Sequence, residues 1–173
     1  MDLKISNATQ ADVPALNRLV NAAYRGESSR KGWTTEADFL EGTRTDEDGI
    51  VEMLTHPNST ILKCEESDHL IGCVYLEIQK EKLYLGMLTT NPDFQGKGIG
   101  KKLLLAAEKH AMDNSCHTIT MNVLTGRKEL IDWYVRHGYH LTEEKKPFAF
   151  DHPRYGKPKI ALEFVLVEKR LKA

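Results

Sequence analysis

Gly96, Gly98 and Gly100 alternate in the stretch "TTNPDFQGKGIGKKLLLAAEKH" (Thr89–His110), interleaved with Lys97 and followed at once by an apolar run at helical spacing. Glycine lets a backbone take left-handed torsions and approach a ligand closely. The first turn of a helix has N–H groups with no intrahelical partner and carries the positive end of the helix dipole. Together these features make a concave set of donors suited to phosphate oxygens, and Lys97, Lys101 and Lys102 add positive charge at the same place. A lone glycine pair reads as a tight turn with a solvated basic flank. Three alternating glycines, with Gln95 ahead and a strong helix behind, favour phosphate binding. Two common phosphate loops are excluded by counting. A Walker loop needs G-x-x-x-x-G-K-[ST], but Gln95 holds the place of its first glycine and Lys102 stands where Ser or Thr should hold magnesium. A dinucleotide fingerprint needs G-x-G-x-x-G, and the third glycine comes one residue early.

The elements that must hold this loop follow from periodicity. "DLKISN" alternates as a short strand, Thr9 reads as an N-cap, and Val13, Leu16, Leu19, Val20 and Ala23 recur at helical spacing to about Tyr24. A polar stretch follows, in which Thr35 caps a short helix carrying Ala37, Phe39 and Leu40. Ile50, Met53 and Leu54 mark a second helix, stopped before Pro57. "TILKCEE", "LIGCVYLEIQ" and "KLYLGMLTT" are strands joined by short turns, which predicts an antiparallel meander. After the glycine loop come a helix from Ile99 to about Met112, the strand "HTITMNVL", and a helix over about Arg127–His137 closed by Gly138. "YHLTEEK" and "KPKIALEFVLVEK" are the last strands, separated by the aromatic loop "PFAFDHPRYG". The order β-α-α-β-β-β-α-β-α-β-β predicts an α/β (α+β) fold. Its sheet is mixed and mostly antiparallel, with about seven strands flanked by about four helices.

The 173 residues suit a single domain, 1–173. A net charge of −1 gives no global argument for binding nucleic acid or an anionic membrane. No apolar run is long enough to span a bilayer, and "MDLKISNATQ" does not read as a signal peptide. Cys64, Cys73 and Cys116 are few and far apart, which predicts reduced thiols and a cytoplasmic protein. The seven histidines form no H-E-x-x-H, so no metal is expected.

"TTNPDFQGKGIGKKLL" resembles the acetyl-CoA-binding motif of the GNAT superfamily of N-acetyltransferases, Q/R-x-x-G-x-G/A, with Gln95, Gly98 and Gly100 at the defining positions. "ELIDWYVRHGYHLTEE" resembles the closing motif of that family, a helix with an aromatic-Tyr pair ending at Gly-Phe or Gly-Tyr; Trp133, Tyr134, Gly138 and Tyr139 fill it. The element order matches the family over nearly the whole chain. The resemblance implies acetyl-CoA as co-substrate and a primary amine, on a small molecule or a peptide, as acceptor, in a monomer or homodimer. It also implies that the strand before the loop splays from its neighbour. Leu88 and Thr90 then present backbone groups to the pantetheine arm, with Thr89 between them. The pyrophosphate falls to the backbone of Gln95, Gly96, Lys97, Gly98, Ile99 and Gly100, with Lys101 in support.

On this reading the acetyl group moves directly to the amine in a ternary complex, because no cysteine falls in either motif. Tyr134, inward in line with Leu130, is the expected general acid for the departing thiolate. Many relatives carry an acidic base on the strand near Gly86, and Gly86 cannot serve. Glu27, Glu36 and Glu77 are alternatives, or a water relay. Arg127 departs from a common asparagine and reads as a helix-start or cofactor-phosphate residue. Tyr24, Trp33 and Glu36 are candidates for an aromatic and acidic acceptor wall, and Phe148 and Phe150 for a lid. The alternative reading is an acyl-CoA-binding regulatory or interaction module without turnover, to which the missing base lends weight.

Overall fold

Ser67 and Asp68 both take left-handed torsions, φ 49° and 65°. Two consecutive residues of that kind make the tight turn whose twist matches antiparallel strands. They join β3 (Ser59–Glu66) to β4 (His69–Gln79), and a second short turn leads on to β5 (Lys82–Thr90). The computed structural model describes residues 2–24, 40–41, 44–147, 157–158 and 162–172. Within them β1 is Leu3–Asn7, β6 Thr118–Leu124, β7 His140–Pro147 and β9 Glu163–Arg170. The helices are α1 (Val13–Tyr24), α2 (Glu47–Thr55), α3 (Ile99–Asp113) and α4 (Lys128–Arg136). The seven-stranded sheet runs β1-β3-β4-β5-β6-β9-β7. Every pair is antiparallel except β5 with β6, which is parallel and therefore needs the crossover that α3 supplies. This is the expected mixed, mostly antiparallel sheet with four helices.

A two-residue pair not foreseen from the sequence, β2 (Leu40–Glu41) with β8 (Lys157–Pro158), lies apart from this sheet. Leu40 is thus in extended, paired backbone and not in the helix expected after Thr35; the remainder of that helix, 35–39, lies outside the described residues. The expected last strand, 157–169, is divided: Lys157–Pro158 form β8, 159–161 lie outside the described residues, and β9 begins at Glu163.

The central strands are buried on both faces, so β4 is nearly continuous in apolar residues where a half-buried strand would alternate. One face carries Cys73, Tyr75 and Met87 against Leu16, Val20 and Ala23 of α1 and Ile50 of α2. The other carries Val74, Leu76, Leu83 and Leu85 against α3 and α4, with Leu103, Leu104, Leu130 and Tyr134 among the buried side chains. Gly72 explains how closely α3 approaches. A Cβ there would lie 2.9 Å from Ile99 Cγ2 and 3.0 Å from Leu103 Cδ1, so any side chain would push the helix off the sheet.

Two local features open the sheet in the middle. Tyr75 pairs with Gly86 and Cys73 with Thr89, so Met87 and Leu88 together stand opposite Val74. This is a β-bulge, and Met87 takes φ 55° to make it. β5 leaves β6 already before the bulge: the parallel pairing covers only Lys82–Tyr84 with Thr118–Thr120.

Candidate active site

The gap left by the splay is a cavity of about 550 Å³. β5 from Tyr84 to Leu88 and β6 from Thr120 to Leu124 line it on either side. Tyr24 enters from the end of α1 and Tyr134 from α4, so side chains from opposite layers meet in the gap. The Tyr24 hydroxyl donates to the Leu88 carbonyl.

Tyr134 points inward because α4 buries one stripe, Leu130, Ile131 and Tyr134, with Trp133 half-buried beside it and the charged residues exposed. The helix ends as expected, with His137 as C-cap followed by Gly138 at φ 92°. Trp133 packs edge-on to Tyr134, ring centroids 5.2 Å apart, and Tyr139 does so at 5.8 Å. Burial raises the Tyr134 hydroxyl well above the ordinary 10.0; nearby Tyr24 pushes the same way and the Arg127 charge pulls it back. Tyr134 therefore holds its proton at neutral pH.

The glycine loop lies beyond the end of β5. Asn91 caps a short 3₁₀ turn, Pro92–Phe94, and Gln95 closes it. Gly96 and Gly98 take φ 83° and 79°, and Gly98 is the N-cap of α3. A Cβ on either would meet nothing within 4 Å, so both face open space, as an oxyanion cradle requires. The Ile99 side chain is buried in the core, which leaves only its backbone to a ligand. Lys97 holds its ammonium 5.2 Å from the Phe94 ring centroid, and Lys101 is exposed. The loop and Tyr134 are linked through Trp133, whose ring would lie 3.5 Å from a Cβ on Gly100.

Other expected residues fall differently. The Thr89 hydroxyl donates to the Met87 carbonyl at 2.9 Å, so its side chain is spent inside the bulge, and Thr90 is buried. Glu77 is not at the cavity. Tyr75 and Gln79 each donate to its carboxylate at 2.6 Å, and His56 approaches to 3.4 Å. Burial works against its charge, but these contacts outweigh it and hold the carboxyl below its usual value, which makes Glu77 a poor base. No carboxylate replaces it at Gly86: a Cβ there would lie 3.2 Å from the Tyr84 ring and 3.4 Å from its hydroxyl. Trp33, Glu36, Glu27, Phe148 and Phe150 lie outside the described residues.

The structure adds residues that sequence reasoning did not place here. Arg127 is the N-cap of α4, as its helix-start reading had it, and is also 8% exposed at the cavity. Its Cζ lies 5.6 Å from the Tyr24 ring centroid, and Arg44 Cζ also lies 5.6 Å from it. Tyr84 and Asn122 also line the cavity. All three cysteines are free and buried, and none lines the cavity; burial pushes the Cys73 thiol up to about 12. Among the described residues no cluster of His, Cys, Asp and Glu could hold a metal ion, and no helix is long and apolar enough to cross a membrane.

The sequence profile of the acetyltransferase (GNAT) family matches residues 15–139. Two curated relatives, both named thialysine N-epsilon-acetyltransferase, are 26% identical: over 102 residues in Sus scrofa and over 85 in Bos taurus. The matches cover 58% and 49% of this chain and span 60% and 50% of the relatives' own length. Among solved structures, the Escherichia coli ribosomal-protein-S18-alanine N-acetyltransferase superposes with a TM-score of 0.74 at 12% identity, over 99% of this chain and 96% of that one. The PaiA N-acetyltransferase of Thermoplasma acidophilum, solved with coenzyme A, gives 0.69 at 19% identity, over 98% and 99%.

Proposed function

Because the chain belongs to the acetyltransferase (GNAT) family, we propose that it moves the acetyl group of acetyl-CoA directly onto a primary amine in a ternary complex, with Tyr134 as general acid. The observation that carries this reading is Tyr134 itself, a buried, protonated hydroxyl turned into the gap between β5 and β6. The name of the mammalian relatives supports a primary amine as acceptor.

Acetyl-CoA, when bound, supplies an activated acyl thioester. The chain's residues fit it at two places. Gly96 and Gly98 leave their side of the loop bare, so the backbone from Gln95 to Gly100, with Lys101 beside it, holds the pyrophosphate. The splay leaves Leu88, Thr89 and Thr90 without a β6 partner, so this end of β5 takes the pantetheine arm as an added strand. Orientation of amine and thioester in one cavity supplies much of the rate. The Tyr134 hydroxyl holds the proton that the departing sulfur takes up. Arg127, close enough to act on the Tyr134 hydroxyl, favours negative charge there. With Gly86 bare and Glu77 engaged, the amine proton passes to Glu27, to Glu36 or into a water relay. The buried thiols, away from the cavity, support direct transfer without an acyl-cysteine. As sparse, free cysteines they also support action in the cytoplasm.

A thiol-release assay over a panel of primary amines tests the reading, paired with thermal melting in acetyl-CoA, ATP and NAD. We expect amine-dependent CoA release and a melting temperature raised by acetyl-CoA alone. A rise with ATP or NAD instead would point to a different phosphate ligand.

A further inference from the structure

We propose that the cavity selects an acceptor amine that also carries an oxyanion, a carboxylate or a phosphate, and that the Arg44 guanidinium binds it. The role of the amine rests on the transfer reading above; the oxyanion site does not.

Four described cations line this cavity, Arg44, Arg127, Lys145 and Lys146, against one carboxylate, Glu144. Arg44 and Arg127 share the Tyr24 ring, each with Cζ 5.6 Å from its centroid. The aromatic ring attracts each guanidinium. Lys145 reaches Glu163 only at 3.9 Å, with both side chains half-exposed. Among the described residues Arg44 has no carboxylate partner, and its charge reaches the Tyr84 hydroxyl inside the cavity.

Arg44 is also held in place. Its own N–H and that of Thr45 donate to Asn21 Oδ1 at 2.7 and 3.1 Å, and Asn21 Nδ2 donates back to the Thr45 carbonyl at 3.0 Å. One asparagine of α1 thus clamps the backbone that carries the guanidinium and leaves its planar fork for the cavity. Such a fork pairs with carboxylate or phosphate through two parallel hydrogen bonds. A volume of about 550 Å³, shared with the thioester end of the donor, leaves room for a small acceptor. Polyamines and aminoglycosides would bring positive charge to a positive wall.

The test uses matched ligands: common amino acids, their carboxamides and their decarboxylated amines, with ethanolamine phosphate against ethanolamine. Thermal melting of the full chain reads binding, and CoA release from acetyl-CoA reads turnover. We expect at least one oxyanion-bearing amine to raise the melting temperature while its neutral counterpart does not. Its kcat/KM should exceed the counterpart's by about 10- to 100-fold, the size of a charge-assisted pair. The carboxylate and phosphate arms tell the two sources apart. Arg44→Gln spares the Asn21 clamp, which uses only backbone of residue 44. It should raise KM for the charged acceptor about tenfold or more while leaving that for the neutral one and for acetyl-CoA unchanged. Equal binding and turnover of charged and neutral partners, a preference for polycations, or binding by neither arm overturns the proposal. Selective oxyanion binding without CoA release would keep it and remove the transfer reading instead.

Discussion

The Tyr24 hydroxyl and the Leu88 carbonyl close on each other where β5 has left β6. Leu88 is in the bulge, without a partner residue in β4, so a side chain from α1 satisfies a carbonyl that the ladder has abandoned. The same carbonyl faces the place proposed for the pantetheine arm. On the proposed reading, Tyr24 occupies a cofactor position and has to yield it. Tyr24→Phe should cost about 1 kcal/mol of folding stability, measured by urea unfolding, while tightening coenzyme A binding by about fivefold in calorimetry. Weaker binding in the variant would make Tyr24 a ligand of the cofactor and not its competitor.

Tyr134→Phe removes one oxygen and keeps the packing against Trp133 and Tyr139. The account expects kcat to fall by about 100-fold or more, since general acid catalysis is worth that much. Coenzyme A affinity should change less than about threefold. Undiminished kcat would take Tyr134 out of the chemistry.

The alkaline limb of the rate profile follows from the same residue. A general acid works while protonated, and burial raises the Tyr134 pKa above 10.0. Protonation is then complete at neutral pH and persists past the value of a free tyrosine. With a saturating acceptor, kcat should show no alkaline decline from this group below about pH 10. A descending limb near pH 8 that disappears in Tyr134→Phe would contradict the assignment.

Two glycines should fail in different ways. Gly98 faces open space at φ 79°, so Gly98→Asp adds torsional strain of about 1–2 kcal/mol and a negative charge facing the proposed pyrophosphate. Coenzyme A binding should be lost in calorimetry while the fold survives. Gly72 has no space and no place in the loop, so Gly72→Ala should cost about 1–3 kcal/mol of stability by displacing α3. Coenzyme A binding to the folded fraction should weaken, since Ile99 at the clash belongs to the proposed cradle, but by less than in Gly98→Asp, which adds a charge as well. Equal loss of binding in both variants would mean that Gly98 acts only through the fold.

The loop and the Tyr134 helix could be read from the sequence because their signals are local: alternating glycines, an apolar stripe, a glycine closing the helix. The sheet's composition was visible for the same reason. The gap that makes the site was expected only from the family resemblance. It depends on which strand lies beside β5 and on a left-handed torsion at Met87, a residue type with no turn signal. Arg44 stood in a polar stretch with no periodicity, so nothing tied it to Tyr24, and Arg127 gave its helix-start role but not its place at the same ring. Tyr84 and Gly86 are two apart on one strand and so share a face. The bare glycine was noticed, but the ring that fills its space came from the structure.

The most direct test of the central claim is intact-mass analysis of the protein with acetyl-CoA, before and after an amine from the panel is added. The account predicts no acetyl adduct and no CoA release before the amine. After it, CoA and acetylated amine should appear in equal amounts, much more slowly in Tyr134→Phe. An acetylated protein that forms at a catalytically competent rate without the amine, or acetyl-CoA bound and never discharged to any amine, would contradict it.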